Sequence, residues 1–212
     1  RIKPFIGFQG ENYDLRVGLN LAAEFGDSSR VNIFPDVHLD FALVPTYAHL
    51  FVGVTGDANK TSLRDIAREN PWLAPNQNIA NSMDRFHIYG GVKGNASATF
   101  GYKAHLSYRK VENLALINNL MNIPYMYQVV YENGSKASSI FNFTGEVNLR
   151  VSETVSLGGI LKFNEFNLQT EEEAWYQPKI EIAANTRINI SDRLYLNGEM
   201  QFMGQTYAST YF

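Results

Sequence analysis

Cysteine is absent from the 212 residues, which removes disulfides and thiolate metal sites from consideration and leaves the redox compartment open. No apolar run approaches the ~18 to 20 residues that a membrane-spanning helix needs. Positive charge does not dominate. The 18 Lys and Arg are outnumbered by 21 Asp and Glu, with no basic stripe, so no nucleic-acid partner is expected. A leader-like segment is also missing before the strand-like pattern that opens at Arg1. The sequence is therefore expected to be mature, trimmed or one part of a longer product. What is plentiful is aromatic. With 14 Phe, 12 Tyr and 2 Trp, Tyr nearly matches Phe, a balance that suits membrane interfaces, although soluble all-β proteins also use such rings.

Composition alone cannot expose a membrane barrel, because only alternate residues face lipid. Periodicity decides. From Tyr13 to Phe25, the residues Tyr13, Leu15, Val17, Leu19, Leu21, Ala23 and Phe25 fall on one face. Asp14, Arg16, Gly18, Asn20 and Glu24 fall on the other. This run exceeds an ordinary strand of about five or six residues and fits the roughly 9 to 11 that cross a bilayer. The same code recurs in Asp36–Leu43, Arg85–Lys93, Ala96–Arg109, Ala137–Val151, Val155–Phe163, Lys179–Asn189 and Leu194–Phe202. In the 137–151 run Ile140 joins the polar set. Two weaker strands, about Ile2–Gln9 and His49–Thr55, bring the membrane set to ten. A soluble sandwich also alternates, but its strands are usually shorter and repeat every ~8 to 12 residues. The expected fold class is all-β: an antiparallel transmembrane β-barrel wall with Leu19, Phe41, Leu106 and Met200 toward lipid.

Short links at Gly10–Asn12, Val44–Tyr47, Gly94–Asn95, Ser152–Thr154 and Ser191–Arg193 alternate with longer ones near 26–34, 56–82, 112–136 and 168–177. Bacterial barrels place short turns in the periplasm and long loops outside. That alternation requires 112–136 to be a single extracellular excursion, with Tyr125–Tyr131 as a hairpin arm above the membrane. Within 56–82, Ser62 and Asp65 resemble a helix cap and Asn70-Pro71 a stop. Followed to the ends, the parity puts Arg1 and Phe212 on the same, extracellular side. Residues 1–212 are then expected to be an incomplete barrel wall, since an open strand edge is not viable in hydrocarbon.

The polar face carries the candidate chemistry. Asp36, His38 and Asp40 are spaced by two and point the same way, with His87 and His105 on other strands of that face. They could serve proton transfer or metal binding, but ordinary lumen lining is favoured. No serine is signposted as a nucleophile, so no catalytic residue and no enzyme are expected. Arg16, Arg85, Lys103, Arg109 and Arg187 share the face with Glu146, either as a solute-binding surface or as a mutually neutralising network against a plug. Glu171-Glu172-Glu173 could hold calcium, although a solvated acidic loop is favoured. Trp72 and Trp175, in outer loops, could stack on a sugar, touch a partner or anchor at the interface. No metal and no cofactor are assigned.

Several phrases resemble the barrels of TonB-dependent receptors and receptor-like outer-membrane proteins of Bacteroidetes. They are Glu69-Asn70-Pro71-Trp72-Leu73-Ala74-Pro75-Asn76, Gly91-Val92-Lys93-Gly94-Asn95, Ala174-Trp175-Tyr176-Gln177-Pro178 and Ile190-Ser191-Asp192-Arg193-Leu194 leading toward Tyr207-Ala208. The resemblance implies a bacterial outer-membrane location and a barrel of about 22 strands with a plug domain in its lumen. It also implies a coupling box that meets TonB, and nutrient uptake. Nothing in the sequence matches a plug or that box. Lipid, lipopolysaccharide and a surface lipoprotein are the further partners implied. A structural or assembly barrel that scaffolds partner proteins is the alternative.

Overall fold

In a computed structural model of the protein, the long alternating runs are strands. The structure describes residues 1–24, 30–45, 47–120, 123–132, 137–191 and 193–209, the side chains of Glu69 and Pro124 excepted. Phe25, Phe212 and the stretches 26–29 and 133–136 of two expected loops lie outside the described residues. In chain order the strands are β1 (Phe5–Gln9), β2 (Tyr13–Glu24), β3 (Arg30–Val44), β4 (Ala48–Asn59), β5 (Ser82–Asn95) and β6 (Phe100–Glu112). They continue as β7 (Leu114–Leu120), β8 (Ile123–Glu132), β9 (Ser138–Arg150), β10 (Val155–Asn167), β11 (Ile180–Ser191) and β12 (Leu194–Met203). A short helix, α1 (Leu63–Glu69), lies between β4 and β5. Ser62 caps it by accepting the Asp65 N–H at 3.2 Å, and Asn70-Pro71 ends it.

Ten strands form one antiparallel sheet in the order β1-β2-β3-β4-β5-β6-β9-β10-β11-β12. Strands β7 and β8 form a separate hairpin outside that order, and β6 pairs directly with β9 from Phe100↔Leu149 to Val111↔Ser138. Apart from that excursion, every strand neighbours the one before it in the chain. Nine of the ten run 10 to 15 residues, and β1 has 5. That is the length of bilayer-crossing strands, not of sandwich strands.

Burial inverts the soluble pattern. Among the described residues the larger buried apolar side chains are Phe34, Ile66, Met83, Val111, Leu116 and Ile140, too few to make a core for a water-soluble chain of this size. Conversely Leu19, Phe41, Leu106 and Met200 are all exposed, Leu106 at 50 % and Met200 at 72 %. They lie on one continuous apolar face, since Leu106 is directly opposite Gly90 and Phe143, and Met200 opposite Ala184. Apolar surface on this scale costs about 25 cal/mol per Å² in water and nothing in hydrocarbon. The sheet is the wall of an antiparallel transmembrane barrel.

Two local expectations need correction. The loop expected over 26–34 ends earlier, because β3 already begins at Arg30. Pro35 does not interrupt it, for a geometric reason. Leu19 N–H donates to Pro4 C=O, away from β3, so Leu19↔Pro35 is a non-hydrogen-bonded pair. The missing Pro35 N–H therefore falls on the β4 side, where the regular ladder stops at Asp36↔Thr55. The turn expected at Gly94–Asn95 is instead residues 96–99: Asn95 still pairs with Gly101, and the Ser97 hydroxyl accepts the Thr99 N–H at 3.2 Å.

Candidate functional site

Residues directly opposite in an antiparallel ladder share a face, and the face alternates along each strand. One row of partners runs Gly18–Asp36–Thr55–His87–Arg109–Ile140. The next runs Arg16–His38–Gly53–Tyr89–Ser107–Asn142, and a third Asp14–Asp40–Phe51–Gly91–His105–Thr144. Lys103↔Glu146 belongs to a fourth, and Arg187, opposite Ser156 and Asn197, follows at the far side. Arg16, Asp36, His38, Asp40, His87, Lys103, Arg109, Glu146 and Arg187 thus share a single polar face. Arg85 departs from these rows. It sits in a bulge between Asp84 and Phe86 and pairs with Glu112 at 2.7 Å.

At the middle of this face the 4 histidines, His38, His49, His87 and His105, lie on β3, β4, β5 and β6. Tyr89 is the hub. Its ring centroid is 5.8 Å from His38, 5.3 Å from His87 and 5.9 Å from His105. Two glycines make the inlay possible. A Cβ on Gly53 would overlap the Tyr89 ring, which lies across β4 to reach His38. A Cβ on Gly91 would stand 2.7 Å from Phe51 Cζ, and Phe51 crosses β5 to stack on His105 with ring centroids 5.9 Å apart. The Tyr89 hydroxyl donates to His38 Nδ1, whose Nε2–H donates to Asp36 Oδ1 at 2.7 Å. The carboxylate, an acceptor only, fixes that tautomer.

Charge on the face is locally cancelled. Asp40 meets Lys93 Nζ at 2.5 Å and His49 Nδ1 at 3.1 Å. Lys103 pairs with Glu146 at 3.3 Å, Arg109 with Asp84 at 3.9 Å and Lys162 with Glu181 at 3.5 Å. Arg16 lies over the Phe5 ring at 4.8 Å and Arg187 over Tyr195 at 4.5 Å. Such half-exposed pairs each contribute about 0 to 1 kcal/mol, so they set the character of the surface more than its stability. Among the described residues no group of three His, Asp or Glu side chains is arranged to hold a metal ion. Tyr89, Phe51, His49 and Lys93 join the site without having been singled out from sequence. Tyr89 and Lys93 carry a signal in their period-two phase with His87 along β5, whereas His49 and Phe51 reach the face through the register of β4 with its neighbours.

Above the ladder of β6 and β9, the β7–β8 hairpin binds segments that are distant in sequence. Tyr127 N–H donates to Trp72 C=O at 3.1 Å, and Ala74 N–H donates to Tyr127 C=O at 2.8 Å. Tyr176 Oη donates to Asn119 Oδ1 at 2.6 Å, and its ring meets Tyr127 edge-on at 5.6 Å. Asn119 Nδ2 donates to Ser209 C=O at 3.1 Å. The two tryptophans sit apart in role. Trp72 is 69 % exposed, whereas the half-buried Trp175 donates its indole N–H to Glu171 Oε2 at 2.6 Å. Glu171, Glu172 and Glu173 line a cavity of about 290 Å³ with Glu165, Lys179 and Tyr207.

Glu132, at the end of β8, has no sequence signal and is only 4 % exposed. Its carboxylate accepts the backbone N–H groups of Gln169 at 2.6 Å, Thr170 at 3.1 Å and Glu171 at 2.5 Å. The hydroxyls of Thr170 and Ser138, both at 2.9 Å, also donate to it. Burial pushes this carboxyl up, but the Gln169 and Glu171 amides and then the Thr170 and Ser138 hydroxyls outweigh it, holding the group below the ordinary glutamate value.

Among known proteins, two solved structures share the fold of this chain. The chain is similar in structure to the copper transporter OprC, over 87% of this chain and 32% of that one, at 14% identity and a TM-score of 0.58. It is likewise similar to the closed form of the ferric-catecholate import receptor Fiu from E. coli K12, over 97% of this chain and 34% of that one, at 9% identity and a TM-score of 0.64. At these identities the likeness is one of fold. The chain spans about a third of the length of these neighbours. No family profile matches it, and no curated protein matches it in sequence.

Proposed function

We propose that the chain forms part of the wall of a bacterial outer-membrane receptor barrel that takes up a nutrient, with its polar face toward the lumen. The apolar face carries the reading: Leu19, Phe41, Leu106 and Met200 are exposed on strands long enough to cross a bilayer. In this arrangement lipid and lipopolysaccharide cover that face. His38, Asp40, Arg109 and the Tyr89 hub meet solute or a plug domain, and the coupling to TonB resides elsewhere in the full-length protein. The long connections lie outside the cell, where exposed Trp72 is available to a solute or a surface lipoprotein. The phrases around Trp72 and Trp175 support a receptor of the Bacteroidetes type. Transport chemistry suits the face, because paired charges and amides can pass a ligand along without holding it.

The test is conductance of the full-length protein in planar bilayers. A plugged receptor is silent and opens reversibly when urea unfolds the plug but not the barrel. A permanently open pore would point to an unplugged porin. Silence under both conditions would overturn the uptake reading in favour of a scaffold barrel.

A further inference from the structure

The β7–β8 hairpin is tied down at three places that the chain visits at different times. On one side lie Trp72, Ala74 and Gln77 of the β4–β5 connection, with Gln77 Oε1 accepting the Val129 N–H at 2.9 Å. On the other lies the β10–β11 connection, through Tyr176 and the Glu132 carboxylate. The third is the stretch after β12, where Ser209 Oγ donates to the buried Asn118 Oδ1 at 2.6 Å and Tyr207 C=O accepts the Tyr176 N–H at 2.9 Å. The hairpin leaves the sheet between β6 and β9, yet its partners follow β4, β10 and β12. A hairpin with partners on both sides along the sheet spans the end of the wall as a strap. Beneath its root, polar-face residues Val111, Ser138 and Ile140 are buried, which is why an isoleucine interrupts the polar set at position 140.

Most of these ties are single neutral hydrogen bonds. Glu132 differs. One buried carboxylate gathers three backbone amides and two hydroxyls, and such charge-assisted bonds are roughly twice as strong as neutral ones. Three successive N–H groups converging on an anion form a nest, and here the anion belongs to the strap itself. We propose that Glu132 is the latch of a strap made of β7–β8, the 168–177 segment and residues 204–209, and that removing its carboxylate frees these pieces together. That the strap spans a barrel mouth rests on the function proposed above; the latch does not.

Backbone hydrogen exchange on the full-length protein in detergent tests the latch, comparing wild type with Glu132→Gln and Glu132→Ala. With the latch gone, the amides of Gln169, Thr170 and Glu171 should exchange at least about tenfold faster, the effect of losing even one charged hydrogen bond of ~1.5 kcal/mol. Tyr127, Val129 and Tyr176 should accelerate with them while the amides of β6 and β9 do not. Added formate should restore protection in Glu132→Ala, because the nest can accept a free carboxylate. Acceleration confined to 169–171 would overturn the strap, and unchanged exchange at 169–171 would overturn the latch. Heat-modifiable gel mobility of the same samples reads the barrel separately. Its absence in wild type would count against the membrane reading and leave the exchange result standing.

Discussion

Leu106→Arg puts the apolar face to a quantitative test. Strand β6 has 13 residues, and Leu106 is the seventh, with Phe100 and Glu112 equally distant at the ends. At about 3.4 Å per residue and a tilt near 45°, β6 covers roughly 31 Å along the membrane normal, so Leu106 lies close to the midplane. Its direct partners are Gly90 and Phe143, which offer no acceptor side chain for a guanidinium. Lys110, four residues on and opposite Phe86, shows where that face tolerates a charge: near the strand end, from which a long side chain can reach the interface. Arginine at the midplane should therefore cost about 2 to 4 kcal/mol, or roughly 30-fold to nearly 1,000-fold in the folding equilibrium. Urea titration of folding into phospholipid vesicles measures it, with Gln201→Arg on the polar face as the companion. A water-exposed site should change by no more than about 0.5 kcal/mol, the expectation at Gln201. If Leu106→Arg costs as little as Gln201→Arg, the face does not meet hydrocarbon and the reasoning fails.

Glycine contacts and the latch give two further expectations. A Cβ on Gly94 would overlap the Tyr47 carbonyl, which is backbone and cannot swing aside, whereas one on Gly7 meets nothing within 4 Å. Gly94→Ala should lose about 1 to 3 kcal/mol in the same titration and Gly7→Ala should be near neutral; the reverse order would refute the β4–β5 packing. Glu132, with its carboxyl held below the ordinary value, stabilises the strap fully above the unfolded-state pKa of about 4.3, and that contribution is lost as pH falls through the lower folded-state value. Limited proteolysis at 168–177 should therefore stay slow at pH 5 and accelerate only below about 4. Acceleration already at pH 6 would contradict the amide nest.

The strands were legible because period two survives wherever one face meets lipid and the other meets polar groups. Leu19, Phe41, Leu106 and Met200 needed nothing beyond that phase. Errors arose where backbone geometry departs from it. Pro35 reads as a boundary, yet it falls on the side of β3 where the ladder with β4 has ended. Arg85 has the phase of His87, but the bulge at Asp84–Phe86 takes it out of the rows and gives it to Glu112. The hub at Tyr89 was half visible: its phase was plain, whereas its reach depended on Gly53 and Gly91 being opposite large rings, a matter of register between strands. Glu132 was not legible at all. Apart from Ser138, its partners begin 37 residues later in an acidic segment, where a buried carboxylate is the last group that charge patterning would suggest.

The claim that most else depends on is that one face of this sheet meets lipid and the other does not. Single spin labels placed in turn at residues 102 to 108 of the full-length protein, reconstituted in vesicles, measure it through collision rates with oxygen and with a water-soluble nickel chelate. Oxygen, which partitions into hydrocarbon, should dominate at 102, 104, 106 and 108, and its rates should fall at 103, 105 and 107, alternating with a period of two. Nickel-chelate dominance at Leu106, or a lack of alternation along β6, would contradict a membrane-spanning wall.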